Sequence, residues 1–145
     1  MIALLQRVRE AHVDIAGQRV ATIGPGVLAF IGVTRADGPT QAERLLERML
    51  GYRLFADNED KMNLSVRDIG GGLLLVPQFT LAADTDKGMR ASFTPAAAPD
   101  DGRRLFEHLL AEARRQYHPV ESGVFGADMQ VTLTNDGPVT FWIEG

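Results

Sequence analysis

The 145 residues amount to one domain, and a chain of that size can bury roughly 68–70% of its unfolded surface in a single core. A hydrophobic fraction of 45% and a charged fraction of 23% exclude a disordered, collagenous or coiled-coil chain. The absence of Cys excludes disulfides, a thiolate nucleophile and Cys-ligated zinc, and a net charge of −4 with a pI near 5.3 argues against a protein that coats a long duplex.

From Met1 to Ile15 apolar residues alternate, predicting a strand with one interruption. Gly17-Gln18 is a turn and Arg19 to Ile23 a second strand, which together predict a hairpin. After the Gly24-Pro25-Gly26 break, Val27 to Val33 is nearly all apolar, as in a strand covered on both faces. Thr40 and Glu43 have capping-box spacing, and Ala42, Leu45, Leu46, Met49 and Leu50 form one helical stripe. Leu54-Phe55 is a short strand and Asp57 to Asp60 a polar turn. Leu73 to Val76 is a second fully apolar strand, ended by Pro77, which has no N–H for a ladder.

Ala82 to Pro99 reads as a surface loop. Asp100 or Asp101 is placed to cap a second helix with Leu105, Phe106, Leu109, Leu110 and Ala113 as its stripe. The helix stops before His118-Pro119. Met129 to Leu133 and Val139 to Ile143 alternate, and Asn135-Asp136-Gly137-Pro138 between them reads as a hairpin turn. Residues 44–50 echo residues 104–110, and the same offset carries Thr80 onto Thr140, which raises the question of an internal duplication.

No familiar catalytic array is present. No Ser sits in a GxSxG elbow, no HExxH occurs, and three His supply no metal cage. The expectation is therefore no metal and no cofactor. No apolar run approaches the ~18 residues of a membrane span, and the N-terminus has neither a basic n-region nor a small-residue cleavage site. The expected location is the cytoplasm, with no membrane partner. Two segments remain. Pro77-Gln78-Phe79-Thr80-Leu81 sets polar residues at the end of a buried strand, where functional groups gather. Asn135 to Thr140 contains a Gly-Pro bond able to adopt cis at a cost of about 0.5–1 kcal/mol.

Together these segments resemble the D-aminoacyl-tRNA deacylase family, whose signatures are a Ser-Gln-Phe-Thr-Leu box and an Asn-x-Gly-Pro-Val-Thr box. Gln6-Arg7-Val8, residues 24–33, Met62-Asn63-Leu64-Ser65 and Lys87-Gly88-Met89-Arg90 are similar to family sequence as well, so the likeness covers the whole chain. It implies an α/β fold, a single mixed domain over residues 1–145 with packed β-sheets and two amphipathic helices. It implies an esterase that releases free D-amino acid from D-aminoacyl-tRNA, acts on glycyl-tRNA too, and rejects L-aminoacyl substrates.

The resemblance places Gln78, Phe79 and Thr80 at the reacting centre. It makes Gly137-Pro138 a chiral filter with a cis bond, reaching into the other subunit's site in a homodimer. The partner is the tRNA acceptor end, with Arg7, Lys87 and Arg90 as candidate contacts. The chain departs from the family at Pro77, where Ser is usual, so no mechanism using a hydroxyl or N–H there operates. An aminoacyl ester is already activated, so positioning and oxyanion stabilisation suffice. Backbone N–H groups of Phe79 and Thr80 are candidates for the oxyanion hole. The Thr80 hydroxyl has no evident base to activate it, which favours a positioning role with water or the ribose 2′-hydroxyl assisting. The rival reading is a non-enzymatic nucleic-acid-binding or scaffold dimer on the same fold. The low pI and lack of basic–aromatic interleaving count against it.

Overall fold

The computed structural model describes all 145 residues. Two strands open the chain, β1 (Ile2–Ile15) and β2 (Gln18–Ile23). They are joined through Ala16 and Gly17, both at positive φ (49° and 79°), as a two-residue hairpin turn requires. The second half of β1 pairs antiparallel with β2, Ala11 facing Ile23. Its first half pairs antiparallel with β3 (Gly26–Gly32), Ile2 facing Gly32 and Val8 facing Gly26.

The last strand, β8 (Gln130–Glu144), pairs with β1 from Ile2–Glu144 to Asp14–Gln130. Beyond β3 the sheet continues in parallel through β6 (Gly72–Pro77) and β7 (Val120–Ser122). The sheet curls far enough for β2 to approach β6 and β7, so it is nearly closed. A small hairpin, β4 (Phe55–Ala56) with β5 (Met62–Leu64), stands apart.

The apolar runs of β3 and β6 follow from burial on both faces. Val27, Ala29, Ile31, Leu73 and Leu75 face α1 (Pro39–Gly51) and α3 (Pro99–Gln116), packing with Leu45, Leu46, Met49, Phe106 and Leu109. Leu28, Leu74 and Val76 point the other way, into the curl, against Val8, Val13 and Ile23. Met129, Val131 and Leu133 partly cover that second cluster.

Several expectations are corrected. Thr40 does not cap α1. The N-cap is Gly38, whose N–H donates to Gln41 Oε1 at 2.9 Å, because Pro39 at the first helical position lacks only an N–H that would be unpaired anyway. Pro99 starts α3 in the same way after Ala98, so Asp100 and Asp101 lie in the first turn rather than at the cap; there they complement the helix dipole. The two amphipathic helices expected are α1 and α3, and a third, one-turn helix joins them. The third, α2 (Val66–Ile69), is capped by Ser65, whose Oγ accepts from Asp68 N at 3.1 Å.

Asn135 to Pro138 is not a hairpin turn but lies inside β8, as one continuous strand. A 3-10 turn at Phe79–Ala82 and the short strands β5 and β7 are too brief to show a period in the sequence. The echo of residues 44–50 in 104–110 is confined to two helices on one sheet face. Thr80 lies in a 3-10 turn and Thr140 in β8, so the offset does not relate equivalent elements.

Candidate active site

Pro77 closes β6 opposite Ile31. The next N–H, that of Gln78, donates to the Ile31 carbonyl at 2.7 Å, so the chain is held to the sheet until it turns away at Phe79. Within the turn Leu81 N–H donates to Gln78 O at 3.3 Å. The first N–H groups of such a turn find no acceptor inside it, which leaves those of Phe79 and Thr80 free for another partner. Gln78 Nε2 donates to Thr80 Oγ1, fixing the hydroxyl oxygen and sending its proton elsewhere. No His or carboxylate bonds to Thr80; His12 pairs with Asp14 and His108 with Glu43.

Phe79 is 58% exposed, and its ring packs on Phe93 with centroids 5.1 Å apart. Beside it opens a cavity of about 280 Å³ lined by Val76, Pro77, Gln78, Phe79, Phe125 and Met129 among others. A second cavity of about 210 Å³ lies behind the same Pro77, Phe79 and Phe125. These three side chains are the wall between the two spaces. Pro77 gives that wall an apolar face with neither hydroxyl nor N–H.

The second box is a bulge. Gln6 faces Thr140 and Val8 faces Asn135, so residues 136–139 have Arg7 alone opposite them and leave the ladder. Arg7 holds the bulge, its Nε donating to Asp136 O at 3.1 Å and its Nη1 to Leu54 O at 2.8 Å. Asn135 Nδ2 donates to Arg7 O at 2.9 Å and Val139 O at 3.0 Å, and Thr140 Oγ1 donates to Asn135 Oδ1 at 3.2 Å. The Gly137–Pro138 peptide is cis. Gly137 has φ +125°, and a Cβ there would lie 2.9 Å from both Arg7 Nη2 and Val139 Cγ2, so only glycine fits. Arg7, expected among the RNA contacts, is 16% exposed and has two of its nitrogens committed inside the chain.

The two boxes do not meet within one chain. From β8 to β6 is a step of three strands, through β1 and β3. Thr140 stands at the level of Gln6, Leu28 and Leu74, four residues short of Gln78. At strand spacings of about 4.8 Å and rises of about 3.3 Å the separation across the sheet is roughly 20 Å. Lys87 and Arg90 are exposed in a loop closed by the Asp84–Ser92 bridge, with the fully exposed Met89 between them. No carboxylate lies within 4.0 Å of either cation. No group of three or more His, Asp or Glu side chains gathers as a metal site, and no helix is long and apolar enough to cross a membrane. Phe125 was absent from the sequence-derived site; it lies 45 residues beyond Thr80 and no local pattern marks it.

Residues 4–144 match the family described as D-Tyr-tRNA(Tyr) deacylase. The chain is 67% identical over 144 residues to a D-aminoacyl-tRNA deacylase of Thioalkalivibrio sulfidiphilus, covering 99% of this chain and 97% of the relative. It is 60% identical over 144 residues to that of Nitrosococcus oceani, covering 99% and 93%. A solved structure described as a c-Myc DNA unwinding element binding protein superposes with a TM-score of 0.95 at 34% identity, over 100% of this chain and 99% of that one.

Proposed function

The chain belongs to the D-Tyr-tRNA(Tyr) deacylase family and is a hydrolase of aminoacyl-tRNA esters; on that premise we propose a chirally selective enzyme that frees D-amino acids from tRNA and spares L-aminoacyl-tRNA. The observation that carries the reading is the site at the end of β6. Two turn N–H groups, a Gln78-held Thr80 hydroxyl and an aromatic-walled cavity occupy one strand end. The terminal adenosine enters the cavity beside Phe79 and Phe125. The N–H groups of Phe79 and Thr80 stabilise the oxyanion as water adds to the ester carbonyl. The carbon–oxygen bond to the ribose then breaks, and the ribose oxygen leaves with a proton. Thr80 positions the ester rather than attacking it, because a hydroxyl nucleophile needs an adjacent base.

The separation of the two boxes supports a homodimer in which Gly137-Pro138 of one copy faces Gln78 to Thr80 of the other. A carbonyl in the bulge holds the substrate ammonium, which assigns the remaining substituents of the α-carbon. An L side chain then collides with the Gly137-Pro138 backbone, while a D side chain points outward. Exclusion by backbone accepts many D side chains. Glycine, which has no side chain to exclude, passes as well, so glycyl-tRNA is a substrate. Lys87 and Arg90 contact tRNA phosphates, and the enzyme acts in the cytoplasm where charged tRNA is used.

The alternative is nucleic-acid binding without catalysis, favoured by the structural relative described as a DNA unwinding element binding protein. The net charge of −4 opposes it, because binding by phosphate neutralisation needs a basic face. The test is release of D-tyrosine from D-tyrosyl-tRNA by the purified protein with chelator present, alongside duplex and single-stranded DNA binding. Multiple-turnover release supports the reading. DNA binding without release overturns it. Sedimentation equilibrium gives the assembly, a dimer being expected and a monomer with full activity excluding the shared site.

A further inference from the structure

We infer that Arg103 is a substrate-binding residue that holds the phosphate preceding the terminal adenosine at the mouth of the cavity. The inference rests on the reading of that cavity as the adenosine site. The Arg103 guanidinium carbon lies 5.1 Å from the centroid of the Phe125 ring, and Phe125 lines the cavity. Its Nη2 lies 3.5 Å from where a Cβ of Gly126 would be, and Gly126 is itself a lining residue. The guanidinium therefore lies against two residues that line the cavity without lining it itself, and Arg103 is exposed.

The surrounding charges leave Arg103 unneutralised. Its helix offers Asp100 three residues before and Glu107 four residues after, the usual spacing for a helical ion pair, yet no carboxylate lies within 4.0 Å of it. The nearby Asp101 is paired with Arg104 at 2.9 Å. Asp128, in the segment after Gly126, bonds to neither. A cation laid on an aromatic face gains about 0.5–1 kcal/mol at an exposed site and keeps its outer N–H groups available to a planar or tetrahedral oxyanion.

The helix is shaped to seat that ring. Gly102 is buried inside α3, where glycine costs about 1 kcal/mol relative to Ala. A Cβ there would come within 3.3 Å of Phe125 Cζ, so the glycine lets the ring lie against the helix with Arg103 beside it. Base and ribose of the terminal nucleoside are uncharged, and so is the cavity lining. The first full negative charge on the nucleic-acid side is the phosphate on the 5′ side of that nucleoside. On this inference that phosphate lies beside Arg103, the cation without a carboxylate partner next to the lining residues Phe125 and Gly126.

The experiment compares two substrates, D-tyrosyl-tRNA and the phosphate-free ester D-tyrosyl-adenosine, hydrolysed by wild type, R103Q and R103K across a salt series. Thermal melting of each variant accompanies the kinetics. For R103Q the ratio of kcat/KM between the tRNA and the adenosine ester falls about tenfold, the scale of one charge-assisted hydrogen bond, and the fall lies in KM. The salt dependence of log KM for tRNA becomes shallower by about 0.7, one single-strand phosphate contact. R103K restores that slope. Equal losses on both substrates would make Arg103 a support for Phe125 and overturn the inference, as would an unchanged ratio and slope. Wild type inactive on both esters would instead fail the deacylase reading itself, and this inference with it.

Discussion

The Asn135 carboxamide donates to the Arg7 carbonyl at 2.9 Å, and Arg7 returns a bond across the same ladder, from its Nε to the carbonyl of the next residue, Asp136, at 3.1 Å. A second proton of the Asn135 amide reaches Val139 O at 3.0 Å. Both ends of the bulge are thus tied to one another and to β1. The direction of the carbonyls between them follows from that clasp and not from local turn preference.

Asn135→Ala removes both donors. Leaving part-buried carbonyls without them costs about 1–3 kcal/mol, a fall in Tm of several degrees for a domain this size. Discrimination between D- and L-aminoacyl-tRNA drops by more than the rate on the D substrate. Melting curves and paired hydrolysis rates check this; full selectivity in a destabilised variant would separate the clasp from the filter.

Gly137→Ala places a methyl group 2.9 Å from Arg7 Nη2 and Val139 Cγ2, at φ +125°. Backbone in that region is costly for any residue with a Cβ. The variant is expected to melt lower and to lose L-rejection, read as a rise in L-aminoacyl-tRNA hydrolysis relative to D. Unchanged selectivity in a folded variant would place the filter elsewhere.

Thr80→Ala keeps the turn, because Leu81 N–H to Gln78 O does not involve the side chain. Activity falls, by roughly ten- to a hundredfold if the hydroxyl supplies a positioning hydrogen bond worth about 1.5–3 kcal/mol, and remains measurable. Mass spectrometry of wild type quenched during turnover is expected to show no acyl-enzyme. A tyrosyl adduct on Thr80 would establish a covalent route.

The β4–β5 hairpin carries an acid-sensitive turn. The Asp57 carboxylate accepts from Asn63 Nδ2 and from the Lys61 and Glu59 N–H groups, and these bonds hold its pKa below the ordinary carboxylate value, the Asn63 bond contributing most. A carboxyl whose pKa is lowered by folding stabilises the fold above its unfolded pKa, near 4, and loses that stabilisation as pH falls through the folded value. NMR titration should show Asn63 side-chain amide shifts moving only below about pH 4. Asp57→Asn should flatten that acid limb while leaving neutral-pH activity in place.

The parts of the fold that were legible are those whose cause is local. Val27 to Val33 and Leu73 to Val76 are apolar at every step because helices cover one face and the curl of the sheet the other. The helix stripes from Ala42 to Leu50 and from Leu105 to Ala113 repeat at the helical period. What was illegible depends on distant partners. Asn135-Asp136-Gly137-Pro138 has the chemistry of a hairpin turn, and only its pairing with β1, more than a hundred residues away, makes it a bulge. Phe79 to Ala82 is too short to show a period. Phe125 joins the site through its packing on Gly102 and Phe106, which no spacing announces. The two boxes were recognisable as motifs, but that they stand about 20 Å apart within one chain follows only from strand order and register.

The most direct measurement is hydrolysis of D-tyrosyl-tRNA and L-tyrosyl-tRNA, prepared on the same tRNA, by wild-type protein at equal concentrations. Rapid release of D-tyrosine is expected, while L-tyrosyl-tRNA decays at its spontaneous rate. Equal hydrolysis of the two enantiomers would contradict a stereochemical filter at Gly137-Pro138.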